Sequence, residues 1–182
     1  MTILLARHGE TDDNIEPIRI QGRRDTPLND TGRAQAGELA ERVAGEGIAS
    51  LWSSQLSRAR ETAEIVGARL GLEPVIDERL AEGDRGELEG RYWRDVARED
   101  PELYAAWRRA GEAFRFPGGE SLREQMERTL AALADVRAAG PLPGAERICA
   151  SHICLPISAL LSEEQAEHVI VWLRSALDRQ SH

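Results

Sequence analysis

An α/β fold, three layers (α/β/α) built on a mostly parallel central sheet, is predicted by three features of the sequence. Short apolar runs suited to buried strands stand at residues 3–6, 48–52 and 147–150. Segments with helical spacing follow the first two after a loop, and this alternation is the pattern of a parallel sheet covered by helices. Polar residues come directly after each run, at the edge where such sheets bind ligands. The 182 residues suit a single domain over 1–182, with a small helical insertion at about 83–119.

The elements follow in order. Residues 3–6 end abruptly in Arg7-His8-Gly9-Glu10-Thr11, a buried strand entering a polar loop. After Asn29, either Asp30 or Thr31 is placed to cap a helix in which Ala34, Leu39, Ala40 and Val43 recur, stopped by Gly45 and Gly47. Residues 48–52 form the next strand and Ser53-Ser54 a turn. Residues 57–70 then set Ala59, Thr62, Ala63, Val66 and Leu70 on one helical face before Gly71. The insertion carries Tyr92, Trp93, Tyr104, Trp107, Phe114 and Phe116, which suit a small core of its own. A long helix is expected over 121–139, a Gly/Pro loop at 140–144, a strand at 147–150 running into Ser151-His152, and an amphipathic helix from Ser162.

Composition excludes several classes of function. All 23 positive side chains are arginine. Without lysine there is no P-loop, no kinase-type phosphate lysine and no Schiff-base chemistry. Arginine instead offers a planar fork that meets phosphate oxygens in pairs. The net charge of −9 argues against nucleic acid or an anionic membrane as partner, so an anionic small molecule needs a local basic pocket. No apolar run approaches the ~20 residues that span a bilayer. The start of the chain lacks the basic and apolar regions of a signal peptide, so a cytoplasmic location is expected. Cys149 and Cys154 are too few for a zinc site and read as buried thiols. No metal-ligand spacing appears, so neither metal nor cofactor is expected.

His8 and His152 each stand directly after a strand candidate, and alone either is an ordinary loop histidine. With Arg7 and Arg58 they place four donors able to meet phosphate oxygens at one sheet edge. The string Leu5-Ala6-Arg7-His8-Gly9-Glu10-Thr11, with Asn14, resembles the signature loop of the histidine phosphatase (phosphoglycerate mutase-like) superfamily. Three further segments keep that family's order: Leu28-Asn29-Asp30-Thr31-Gly32, Ser53-Ser54-Gln55-Leu56-Ser57-Arg58-Ala59, and Leu80-Ala81-Glu82 with Gly86 and Glu89-Gly90. Pro117-Gly118-Gly119-Glu120-Ser121 and Ala150-Ser151-His152 complete it, so the resemblance covers residues 2 to about 152.

The resemblance implies that His8 is a nucleophile attacking phosphorus, that Arg7, Arg58 and His152 hold the equatorial oxygens, and that Glu82 gives the leaving group its proton. It also implies pocket roles for Asn14 and for Gln21-Gly22, the glycine admitting close backbone approach. Asp84, Glu87 and Glu89 stand near enough to compete with Glu82 for the acid's role, and Asp25 reads as the start of a turn. The activity implied is phosphomonoester hydrolysis through a phosphohistidine, on a small phosphorylated metabolite such as a sugar phosphate, a phosphoglycerate or a nucleotide-loop phosphate of the cobalamin pathway. Two alternatives stand beside it: a mutase returning the phosphoryl group to a phosphoglycerate, with Arg108 and Arg109 as carboxylate anchors, and a phosphate-binding module with impaired turnover. A homodimer is compatible with all three. The sequence departs from the family at Ile153, where glycine is the usual residue. A β-branched side chain resists positive φ, so the segment carrying His152 is expected to take another path.

Overall fold

The computed structural model describes residues 2–138 and 150–154. Among these residues four strands form one parallel sheet in the order β1 (Thr2–Ala6), β4 (Ala150–Cys154), β2 (Ile48–Ser53), β3 (Val75–Ile76). Strand β1 runs in unbroken register with β4 from Thr2 opposite Ala150 to Ala6 opposite Cys154. Against β2, strand β4 shifts register between Ile48 and Ser50.

Side chains alternate between the faces of this sheet, and the packing follows. Leu51 joins Ala40 and Val43 of α1 (Asp30–Val43) with Ala63 and Val66 of α2 (Ser57–Leu70). Its neighbour Trp52 packs on the other face, with Ile3 and Leu5, against Leu133 and Val136 of α5 (Leu122–Ala138). Helices thus cover both faces, as the alternation predicts. Each fully buried Leu or Val contributes about 1.5–3 kcal/mol to holding the layers.

Several boundaries fall where turn chemistry places them. Helix α2 spans the predicted residues and stops at Gly71, whose φ of 71° is left-handed. The cap of α1 is Asn29 and not Asp30 or Thr31: Asn29 is extended, and its side chain accepts from Gly32 N–H at 2.8 Å. Asp25 does more than begin a turn, since its carboxylate accepts from the backbone N–H and the hydroxyl of Ser57, both at 2.7 Å, and so caps α2 from outside.

The insertion holds two short helices, α3 (Trp93–Glu99) and α4 (Pro101–Ala110). Its aromatics pack on one another, with Trp93 and Trp107 stacked at 4.3 Å and Phe114 edge-on to Phe116 at 5.0 Å. This separate core also takes in Ile20 and Leu88. Backbone bonds from Gly90 N–H to Ile20 carbonyl (2.7 Å) and from Ile20 N–H to Arg91 carbonyl (2.8 Å) seat the insertion on the loop that follows β1.

One expectation is corrected. His152 lies inside β4, paired with Leu4 and Leu51, and not in a loop beyond a strand ending at Ala150. Ile153 accounts for the shift, because a β-branched residue favours the strand it continues. The loop at 140–144, residues 147–149 with Cys149, and the helix from Ser162 lie outside the described residues. Among the described residues, no helix is long and apolar enough to cross a membrane.

Candidate active site

The loop after β1 is fixed from both flanking helices. Gly9 N–H donates to Thr62 Oγ1 of α2 (3.1 Å), and that hydroxyl donates to the Arg58 carbonyl one turn earlier (2.7 Å). From α1, Gln35 Oε1 accepts from Glu10 N–H (2.8 Å). The two backbones meet so closely that a Cβ on Gly9 would lie 2.2 Å from the Gly32 carbonyl oxygen. Only glycine admits that approach.

His8, half-buried at the head of this loop, has its Nδ1 2.6 Å from the Gly9 carbonyl. A carbonyl can only accept, so Nδ1 carries the proton and Nε2 keeps a free lone pair. Burial pushes the imidazole down to about 4. The Gly9 carbonyl opposes this, while Arg58 and then Arg7 reinforce it. The ring is therefore neutral at physiological pH and suited to nucleophilic attack.

Arg58 at the start of α2 is 1 % exposed. Its Nη1 and Nη2 donate to the carbonyls of Arg24 and Gly22, each at 2.8 Å. No carboxylate pairs with it among the described residues. Burial lowers its pKa, and Glu82 is foremost among the carboxylates whose charge offsets this. The charge of Glu82 also reaches Arg7, which makes no hydrogen bond or ion pair among the described residues. The structure thus brings Arg7, His8, Arg58 and Glu82 within one electrostatic neighbourhood. It does not place His152 with them: the backbone of that residue is level with Leu4, four residues before His8, and its side chain lies outside what is described.

Glu82 is 8 % exposed and its Oε1 accepts from Arg85 Nη2 at 2.9 Å. Of the neighbouring carboxylates, two are engaged by backbone N–H groups and one is exposed. Asp84 Oδ1 caps Gly86 N–H, Glu87 is exposed, and Glu89 Oε1 accepts from Arg23 N–H (2.7 Å) and Arg85 N–H (3.1 Å). Asn14 Oδ1 accepts from the N–H and hydroxyl of Thr11, while Gln21 Nε2 donates to that hydroxyl at 2.6 Å. The amide protons of Asn14 have no acceptor among the described residues, whereas Gln21 is tied to Thr11 through Nε2 while its buried Oε1 has no partner there. Gly22, at φ 55°, contributes its carbonyl to Arg58. A Cβ there would meet Glu89 Oε1 at 2.2 Å.

A cavity of about 820 Å³ opens along β1 and α1, lined by Arg7, His8, Asn14 and Thr62 among others. Arg58 and Glu82 stand outside its wall, so it does not enclose the charged cluster. Among the described residues, no group of three His, Cys, Asp or Glu is placed to hold a metal ion.

The sequence gives Thr62 only a place on the packed face of its helix and gives Arg85 no role. Each has a helical or near-helical signal: Thr62 follows Arg58 by four residues and Arg85 follows Glu82 by three.

A Salmonella paratyphi B protein named "Probable phosphoglycerate mutase GpmB" is 41 % identical over 138 residues, 74 % of this chain and 62 % of that protein. The chain therefore spans less than two thirds of the length of these curated relatives. Among solved structures, a mycobacterial glucosyl-3-phosphoglycerate phosphatase in complex with VO3 superposes with a TM-score of 0.75 at 32 % identity, covering 85 % of this chain and 75 % of that one. A structure titled "Mycobacterial hydrolase 1" gives 0.73 at 31 %, covering 84 % and 74 %. Residues 3–167 match the family described as the histidine phosphatase superfamily (branch 1), and the chain belongs to that superfamily.

Proposed function

We propose that this protein is a metal-independent phosphomonoesterase that works through a phosphohistidine on a small phosphorylated metabolite. The observation that carries the reading is the protonation state of His8, with Nδ1–H given to the Gly9 carbonyl and Nε2 left bare beside two arginines that form no ion pair among the described residues.

In the first step the Nε2 lone pair attacks phosphorus and the ester P–O bond breaks. The alkoxide leaves with a proton from Glu82, while Arg7 and Arg58 balance the charge on the phosphoryl oxygens. His152 is proposed as a further oxygen ligand and Asn14 as a donor to the substrate. Glu82 then takes a proton from water, the water oxygen attacks phosphorus, and the P–N bond breaks to release phosphate and restore neutral His8. Glu82 is the one of the four nearby carboxylates that is both buried and free of backbone N–H donors.

Phosphoglycerate mutase-type transfer is the second reading, favoured by the name that the Salmonella relatives carry. Arg108 and Arg109, its candidate anchors, lie exposed at the end of α4, which weighs against it. One experiment addresses both. Protein mixed with 4-nitrophenyl phosphate in EDTA, then quenched, is expected to carry an acid-labile phosphoryl group that decays to inorganic phosphate without added acceptor. His8→Ala should remove the label and cut turnover by roughly 10⁴-fold or more. A label that waits for 2- or 3-phosphoglycerate before discharging would favour the mutase, and full activity in His8→Ala would end both readings.

A further inference from the structure

Arg85 is almost as buried as the core, at 8 % exposure, and its partner Glu82 is equally so. Burying an arginine and a glutamate together seldom stabilises a protein more than an apolar pair would, because both charges lose their water. Here the burial is also incomplete in its compensation, since Arg85 Nη1 is sealed from solvent with no partner among the described residues. A residue kept at such cost calls for a reason other than packing.

The surroundings fix the Arg85 fork in place. Its Cζ lies 4.5 Å over the ring of Phe116, itself 1 % exposed. Its backbone N–H is held by Glu89 Oε1, and its Cγ lies against Gly22, where a Cβ would come within 2.8 Å. At Gly83 a Cβ would stand 2.7 Å from Nη1 and 2.3 Å from Gln125 Oε1, so this glycine leaves the room that the guanidinium fills. The backbone of Glu82 is pinned as well, its carbonyl accepting from Arg128 Nη2 at 3.1 Å.

The consequence falls on the carboxylate. Oε1 of Glu82 is tied to Arg85, whereas Oε2 accepts nothing from the described residues, and the side chain as a whole keeps 11 % of its surface exposed. We propose that Arg85 is a positioning residue for proton transfer: by fixing Oε1 it makes Oε2 the oxygen that gives its proton to the leaving group and later takes one from water. The proposal rests on the reading of Glu82 as the proton-transfer group.

The test uses the full chain with two substrates, β-glycerophosphate, whose alkoxide needs a proton to leave, and 4-nitrophenyl phosphate, whose phenolate does not. Quench-flow rates of phosphoenzyme formation are compared for wild type, Arg85→Met, Arg85→Lys, Glu82→Gln and the Glu82→Gln/Arg85→Met double variant. A positioned acid contributes about 10² to 10⁴ in rate, so Arg85→Met is expected to slow the alkyl reaction by about 10- to 100-fold and the aryl reaction by less than about 3-fold, with KM little changed. Arg85→Lys should recover part of the loss, and in the Glu82→Gln background Arg85→Met should add nothing to it. Equal slowing of both substrates, a raised KM with the phosphorylation rate intact, or a full further loss in the double variant each overturns the role of Arg85. Selectivity in Glu82→Gln but not in the Arg85 variants overturns this proposal alone, while no selectivity in Glu82→Gln takes down the acid reading with it. Should Arg85→Met melt below the assay temperature, Arg85→Lys carries the same comparison.

Discussion

Arg58 and Arg85 are both buried guanidinium groups beside the candidate site, and the fold satisfies them in opposite ways. Arg58, at the edge of the sheet, donates to two backbone carbonyls. Arg85, at the entrance to the insertion, is neutralised by the Glu82 carboxylate and stacked on Phe116. Carbonyl dipoles hold a cation's geometry without cancelling its charge. A carboxylate cancels the charge and in return gains a fixed orientation. On the proposed function, the sheet edge keeps positive charge for an incoming anion, and the insertion uses it to hold a carboxylate still.

This contrast predicts unlike consequences for the two regions. The largest effect is expected at the sheet edge. Arg58→Met removes uncancelled charge from the phosphoryl group and should lower kcat/KM by about 10³-fold or more for alkyl and aryl esters alike. Steady-state kinetics with both esters check it, and a loss confined to alkyl esters would erase the distinction from Arg85.

The same uncancelled charge, together with burial, acts on His8. An imidazole pushed from 6.5 to about 4 should show its ring resonances titrating near pH 4 by NMR, and a midpoint near 6.5 would mean that burial and the arginines have no hold on it. Stability should follow in a stated direction. Between pH 6.5 and 4 the unfolded chain binds a proton that the folded His8 refuses, so stability falls as pH drops through that window. Thermal melts of His8→Gln should lack that component of the fall.

The smallest effect belongs to Glu89, which bridges the two regions through Arg23 N–H and Arg85 N–H. Glu89→Ala leaves both donors without that acceptor and is expected to destabilise the chain by about 2 kcal/mol by denaturant melts. Phosphoenzyme formation from alkyl and aryl esters should slow to the same modest degree. A selective loss on alkyl esters as large as that of Glu82→Gln would instead transfer the acid's role from Glu82 to Glu89.

By itself the sequence determined the layered α/β architecture, because strand and helix periods are local and the stops at Gly71 and after Ala6 are written into short strings. It likewise marked Arg7 and His8, which follow a strand by one and two residues, and Arg58, which opens a helix. Tertiary structure decided what no local pattern carries. That Asp25 caps α2, that Thr62 braces the loop of His8, and that Glu82 rather than Asp84, Glu87 or Glu89 is both buried and free of backbone N–H donors depend on residues brought together from distant parts of the chain, whereas the Asn29 cap of α1 is a contact made within its own turn. The path of His152 depended on pairing with β1 and β2, where the strand preference of Ile153 prevailed over the loop that the preceding residues suggest. The role of Arg85 was hidden for the same reason. A charged residue in a loop is ordinarily solvated, and only the closing of Phe116, Gly22 and Gly83 around it turns an exposed charge into a buried and directed one.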